Sequence, residues 1–142
     1  MFVETRDQAR EFFLCVWTKM GNKQALEPLE SLVARVITEH PEYHAVLEHP
    51  HRALEAEFDG NDGRSNPFLH MGLHVALVEQ LQTDRPAGIR ASYKRLLLTH
   101  ADDSHRVEHR MMDCLAQALF EAANQGNAPD QNAYLQAVQG LS

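Results

Sequence analysis

The chain has 142 residues, 44% of them apolar and 23% charged, proportions that exclude a disordered or fibrous architecture and leave enough length for one hydrophobic core without disulfides. The formal net charge is −7 with the histidines neutral, and the lysines and arginines are scattered, which argues against a phosphate-tracking surface and so against nucleic acid as a partner. The opening residues MFVETRDQAREFF lack the apolar stretch of a secretory signal, and no window approaches the roughly 18 apolar residues of a membrane span. A cytoplasmic protein with no membrane partner is the expectation. Cys15 and Cys114 then read as reduced, buried small hydrophobes.

Apolar residues recur at helical spacing throughout, with no strand pattern, so an all-α, single-domain helical bundle of about five to six helices is expected across residues 1–142. A first helix runs from about Thr5 to Met20, with Phe12, Phe13, Val16 and Met20 on one face, and stops at Gly21-Asn22. A second opens at Pro28 and carries Leu29, Leu32, Val33, Val36 and Ile37 until Pro41 disfavours helical geometry at His40. A short helical piece is expected at about Glu42 to Glu48, followed by an internal loop over 49–65, rich in Pro, Gly, Asn and Asp.

Asn66-Pro67 supplies an N-cap and a first-turn proline for a third helix reaching Thr83 through Leu69, Leu73, Ala76, Leu77 and Leu81. Asp84-Arg85-Pro86 restarts the chain into a fourth helix with Ile89, Tyr93, Leu96 and Leu97 inward, and a break near Ala101 to Ser104 precedes a long fifth helix to about Asn124. Gly126 and Pro129 end it, and a last helix from about Asp130 to Gln139 offers Tyr134, Leu135 and Val138 as a docking stripe.

The nine histidines include three pairs at i,i+4: His40 and His44, His70 and His74, and His105 and His109. Random placement would give roughly 0.6 such pairs, and residues four apart share a helix face about 6 Å apart, close enough for two imidazoles to reach one metal ion. His70 and His74 lie beside Leu77 and Leu81 at the edge of the apolar stripe, and His105 and His109 share a flank with Met112 and Ala116. Glu108 falls inside the arc of Met111, Leu115 and Leu119, where an ionised carboxylate needs a cation or another partner. His40 extends the row of Leu29, Val33 and Val36, although Pro41 interrupts the face it would share with His44.

The candidate ligand set is therefore His70, His74, His105 and His109, with Glu108 and His44 as auxiliaries, and its donors suit zinc, iron, nickel or manganese. Nothing points to a nucleotide cofactor. HExxH and the paired ExxH of di-iron bundles are both absent, and Cys114 has no base aimed at it, so neither those metal chemistries nor a thiol nucleophile gains support. Whether the chain is an enzyme stays open. The alternative is a non-enzymatic interaction or structural module in which the histidines form a buried hydrogen-bond network with carboxylates, its surface helices available for homo-oligomer formation or another partner.

The stretches NPFLHMGLHVALVEQL, TDRPAGIRASY and HRVEHRMMDCLAQAL, with HPEYHAVLE before them and PDQNAYL after, resemble the bacterial family Domain of Unknown Function 1841 over nearly the whole chain. The resemblance implies a soluble bacterial protein and supplies no catalytic residues to carry over. A looser likeness to DinB-like and haemerythrin-like metal bundles is one of fold alone, because the acid spacing and histidine order of this sequence match neither.

Overall fold

The computed structural model describes residues 5–58 and 66–142. Among the described residues there are eight α-helices and no strand, so the chain is all-α. They fall into two compact units, Met1–Val75 and Ala76–Ser142, with one helix running through the boundary.

In the first unit, α1 (Arg6–Gly21) starts at Thr5, whose hydroxyl accepts from the Gln8 N–H while the Gln8 side chain accepts from the Thr5 N–H. This reciprocal cap satisfies two amide donors that the first turn leaves without a helical partner. α2 (Pro28–Glu39) has proline at its first position and ends one residue before His40, as Pro41 requires. A single 3-10 turn (Pro41–Tyr43) and α3 (His44–Leu47) follow, and then α4 (Pro50–Glu55).

The segment expected to be a loop over 49–65 thus begins with a six-residue helix, because Pro50 presets the backbone of a first turn. Residues 59–65 of that segment lie outside the described residues. The helix number exceeds the expected five to six because Pro41 and Pro50 divide the chain after α2 into short pieces rather than one.

α5 (Pro67–Thr83) begins where Asn66 accepts from the N–H groups of Phe68 and Leu69. Phe13, Val16, Val33, Val36, Ile37, Leu47, Phe68, Met71 and Val75 form the core of the first unit. Phe13 meets Phe68 edge to face at 6.1 Å. Each fully buried side chain of this size contributes about 1.5–3 kcal/mol relative to exposure.

Two expectations for this unit fail. Cys15 is exposed, since its position on α1 turns away from the face that buries Phe13 and Val16. Leu69 is 60% exposed, one residue off the buried face marked by Phe68, Met71 and Val75.

Lys19 Nζ lies 2.6 Å from Glu30 Oε2, joining α1 to α2, and the other oxygen of Glu30 accepts from the Glu27 N–H. The lysine hydrogen bond, and then the backbone one, hold the Glu30 carboxyl below its ordinary range, while the same bond raises Lys19. Their stabilisation is fully present between the unfolded values of about 4.3 and 10.4. It is lost as pH falls through the depressed folded value of Glu30 or rises through the elevated folded value of Lys19. Glu30→Gln should therefore be less stable than the parent at pH 7, with the gap narrowing by pH 3 in urea unfolding. A gap that stays constant across that range would contradict the assigned cause.

In the second unit, α6 (Ile89–Thr99), α7 (Ser104–Gln125) and α8 (Gln131–Gln139) pack on one another. Their buried side chains include Ile89, Leu96, Leu115, Tyr134 and Val138. Asp103 and Asp130 cap α7 and α8 by accepting from the Arg106 and Ala133 N–H groups. The Tyr134 hydroxyl donates to Gln80 at 2.6 Å, tying α8 to the end of α5. Burial, followed by the neighbouring Cys114, pushes the phenol well above its ordinary range, so it remains a donor. Leu119 is 39% exposed, so the arc containing Glu108 surfaces there.

The turn between α5 and α6 is held by Asp84, which accepts from the N–H groups of Gly88 and Arg90, while the Arg90 guanidinium caps the Leu81 and Gln82 carbonyls. Gly88 has φ +101°, and a Cβ there would meet Leu135 at an ordinary 3.8 Å. Gly88→Ala should therefore cost about 1–3 kcal/mol from backbone strain rather than from a clash. Thermal unfolding reads the loss, and an unchanged midpoint would count against that backbone requirement.

Candidate functional site

A group of ligand-type side chains in the first unit lies where α2 ends and α5 begins its second turn. Pro41 terminates α2 at Glu39 and leaves His40 with φ −124° and ψ 63°, outside helical geometry. His40 is 1% exposed and His74 is 0% exposed, so the two imidazoles sit where water cannot satisfy them.

Four groups form a line. Glu42 Oε1 is 2.7 Å from His40 Nδ1, His40 Nε2 is 3.0 Å from His74 Nδ1, and His74 Nε2 is 3.6 Å from Glu39 Oε2. The His40 ring stacks on Tyr43 at 5.4 Å and meets His70 edge to face at 4.8 Å. A ring nitrogen of His70 lies within 4.8 Å of one of His40. The outer carboxylates reach solvent, with the Glu42 side chain 55% and the Glu39 side chain 36% exposed.

These contacts constrain the protons. A carboxylate can only accept, so His40 carries hydrogen on Nδ1 and donates it to Glu42. In the neutral ring its Nε2 is then a lone pair, which accepts from His74 Nδ1–H. Glu39, a second carboxylate that can only accept, faces His74 Nε2 at 3.6 Å. Burial pushes the Glu42 carboxyl up, but its hydrogen bonds with His40 and the backbone, and the fields of His40 and His70, outweigh this and hold it below its ordinary range.

Two ligands about 2.1 Å from a tetrahedral metal are about 3.4 Å apart, close to the 3.6 Å between His74 Nε2 and Glu39 Oε2. The donors, an imidazole nitrogen and carboxylate oxygens, are borderline to hard and suit the same first-row metals the sequence pointed to.

Of the sequence-predicted ligands, His70 and His74 belong to this group. His44 does not share its arrangement: its Nε2 donates to the Ile37 carbonyl at 2.8 Å and its ring packs on Trp17 at 4.7 Å, because the 3-10 turn separates it from His40. In the second unit His105 and His109 have ring centroids 4.1 Å apart, and His109 Nδ1 lies 2.6 Å from the His105 carbonyl. That bond fixes a hydrogen on Nδ1 and the lone pair of neutral His109 on Nε2. Glu108, 3% exposed, accepts from the Tyr93 hydroxyl at 2.9 Å, so a tyrosine on α6 is one of the partners its burial demanded.

His40, Glu39 and Glu42 were not among the predicted ligands. The signal for His40 was its place on the Val33–Val36 row, which its burial follows. Glu39 and Glu42 carried no signal beyond adjacency to it. Cys114 is half-buried, and burial, then Asp113, raise its thiol above the ordinary range, which disfavours the reactive thiolate.

The family model for a domain of unknown function, DUF1841, matches residues 5–140. The chain belongs to the DUF1841 family. The match takes in both units and every residue of the histidine–carboxylate line. No curated protein and no solved structure matches the chain. Among the described residues no helix is long and apolar enough to cross a membrane.

Proposed function

We propose that this DUF1841 protein binds a first-row transition metal, with zinc, iron, nickel and manganese the candidates, and that His74 Nε2 and Glu39 are the ligands at its heart. The observation that carries the reading is the buried His74 imidazole, backed by a second imidazole through Nδ1 and facing a carboxylate through Nε2. A ligating histidine characteristically donates its other N–H to a partner that fixes its ring. His70 enters the proposal through its place in the same group. His105, His109 and Glu108 enter it on donor chemistry and sequence spacing alone. A metal held by nitrogen and carboxylate ligands supplies a Lewis acid or a redox centre, according to its identity.

Cobalt(II) added to protein made without a histidine tag tests the reading. Visible ligand-field bands that saturate at one equivalent and vanish in Glu39→Gln/His74→Ala support it. A spectrum indistinguishable from aqueous cobalt would overturn it.

A second reading is favoured by a specific observation, the engagement of both His40 nitrogens, with Glu42 and with His74. In that reading the line is a buried polar network that fixes the register of α2 against α5 within a non-enzymatic interaction module. It requires that His40→Leu or His74→Leu loosen the fold while metal leaves stability unchanged.

A further inference from the structure

We propose that a cavity of about 430 Å³ at the C-terminal end of α1 binds a small alkylated ammonium ion, seated between the indole of Trp17 and the carboxylate of Glu48. Its walls come from the end of α1, with Asn22 at the cap, and from Leu47, Glu48 and Pro50 at the junction of α3 and α4. The volume is that of a small-molecule site, and the cavity shares no residue with the histidine–carboxylate line.

The apolar walls are fixed before a ligand arrives. His44 donates from Nε2 to the Ile37 carbonyl at 2.8 Å and packs its ring on Trp17, with centroids 4.7 Å apart, so the indole is backed. Leu47 is 1% exposed, and Pro50 sets a rigid first turn of α4. Trp17, Leu47 and Pro50 together offer apolar surface to methyl and methylene groups.

The polar lining favours a cation. Its ionised side chain is the exposed Glu48 carboxylate, and none of the lining residues is a lysine or an arginine. Donors that an anion would need are already engaged. The Thr18 hydroxyl donates to the Leu14 carbonyl at 3.1 Å, the Asn22 N–H to the Thr18 carbonyl at 3.0 Å and the Glu48 N–H to the His44 carbonyl at 3.1 Å, while Pro50 has no N–H to give. The C-terminal end of α1, a helix of 16 residues, carries partial negative charge. Lys19, the basic residue of that last turn, is turned to Glu30 at 2.6 Å and does not line the cavity.

A bare metal ion is poorly served, because the lining holds one carboxylate and neither histidine nor cysteine. An alkylated ammonium satisfies both halves. Its charge is attracted by Glu48 and by the indole quadrupole, and its carbon lies against the apolar walls.

Trp17 is the one tryptophan of the chain, so its fluorescence reports on the cavity. Choline, titrated at pH 8 and constant ionic strength, should change the emission saturably, and the neutral isostere 3,3-dimethylbutan-1-ol should bind about 3–30-fold more weakly. Glu48→Gln should weaken choline binding about two- to fivefold and Glu48→Lys more, with the isostere unaffected in both. Glu48 lies at the surface, so both variants keep the core, which thermal unfolding checks. No saturable response to choline, an equal affinity for its neutral isostere, or a choline affinity unchanged by Glu48→Lys would overturn the assignment.

Discussion

Replacing Arg10 by alanine is expected to lower the free energy of unfolding by about 2–5 kcal/mol, the range for emptying the space of a large buried side chain, because it also takes the donor from two carbonyls. Arg10 is 1% exposed although it is charged, and it is paired with carbonyls rather than with a carboxylate. Its Nη1 donates to the Ala53 carbonyl at 2.8 Å and the Ala56 carbonyl at 2.6 Å. These lie at the end of α4, where helical carbonyls have no partner further along the chain. The guanidinium also packs on the Phe58 and Phe68 rings, 5.3 and 5.2 Å from their centroids.

Burial, and then the charge of Arg6, pull the arginine below its ordinary range, but it remains protonated throughout the accessible pH range. Its Nε is the one buried side-chain polar atom among the described residues with no hydrogen-bond partner, so the guanidinium is held at some cost. Alanine would leave the carbonyls uncapped and a cavity under the two rings. Arg10→Met, which refills the space without donors, should recover part of the loss. Urea unfolding at an unchanged m-value measures both. A loss below about 1 kcal/mol in Arg10→Ala would mean that the α4 carbonyls find water instead.

His74→Ala should have the largest effect on metal affinity, beyond the roughly 10–100-fold expected for loss of an outer partner, because it removes a ligand. It also removes the contact between His40 Nε2 and His74 and opens a cavity in the core, so its stability should fall as well. Helical content measured by circular dichroism separates the two effects. His74→Gln, which can still accept from or donate to His40, should retain more stability than His74→Ala yet bind metal as poorly. Affinity recovering together with stability in the glutamine variant would show that His74 acts by holding the fold.

The helices were legible in the sequence because their ends are written in local chemistry. Thr5 with Gln8, Pro28, Asn66-Pro67 and Gly126 act within a turn of where they stand, and the apolar rows of α1, α2 and α7 follow one period. The divided stretch after α2 was harder to read, since a proline that stops one helix also starts another, as Pro50 does for α4. Cys15 was misread because an unpaired cysteine is usually buried, and its angular position on α1 outweighed that tendency.

The candidate site was legible only in part, and for a single reason. Spacing of i,i+4 reports which side chains share a face, not which way their nitrogens point or what they meet. His40 and His44 satisfy the spacing but part company at Pro41, one joining His74 and the other bonding the Ile37 carbonyl. His109 satisfies it too, and turns Nδ1 onto the backbone of His105. Glu39 and Glu42 came into play through the 3-10 turn, a tertiary consequence of one proline. Burial of Glu108 was readable from helical phase, whereas its bond to Tyr93 depended on how α6 meets α7.

The most direct test of metal binding is elemental analysis of the protein purified without a histidine tag, beside His74→Ala prepared in the same way. One equivalent of a single transition metal in the parent and its loss in the variant is the expected result. Trace metal in the parent, at a level the substitution leaves unchanged, would contradict it.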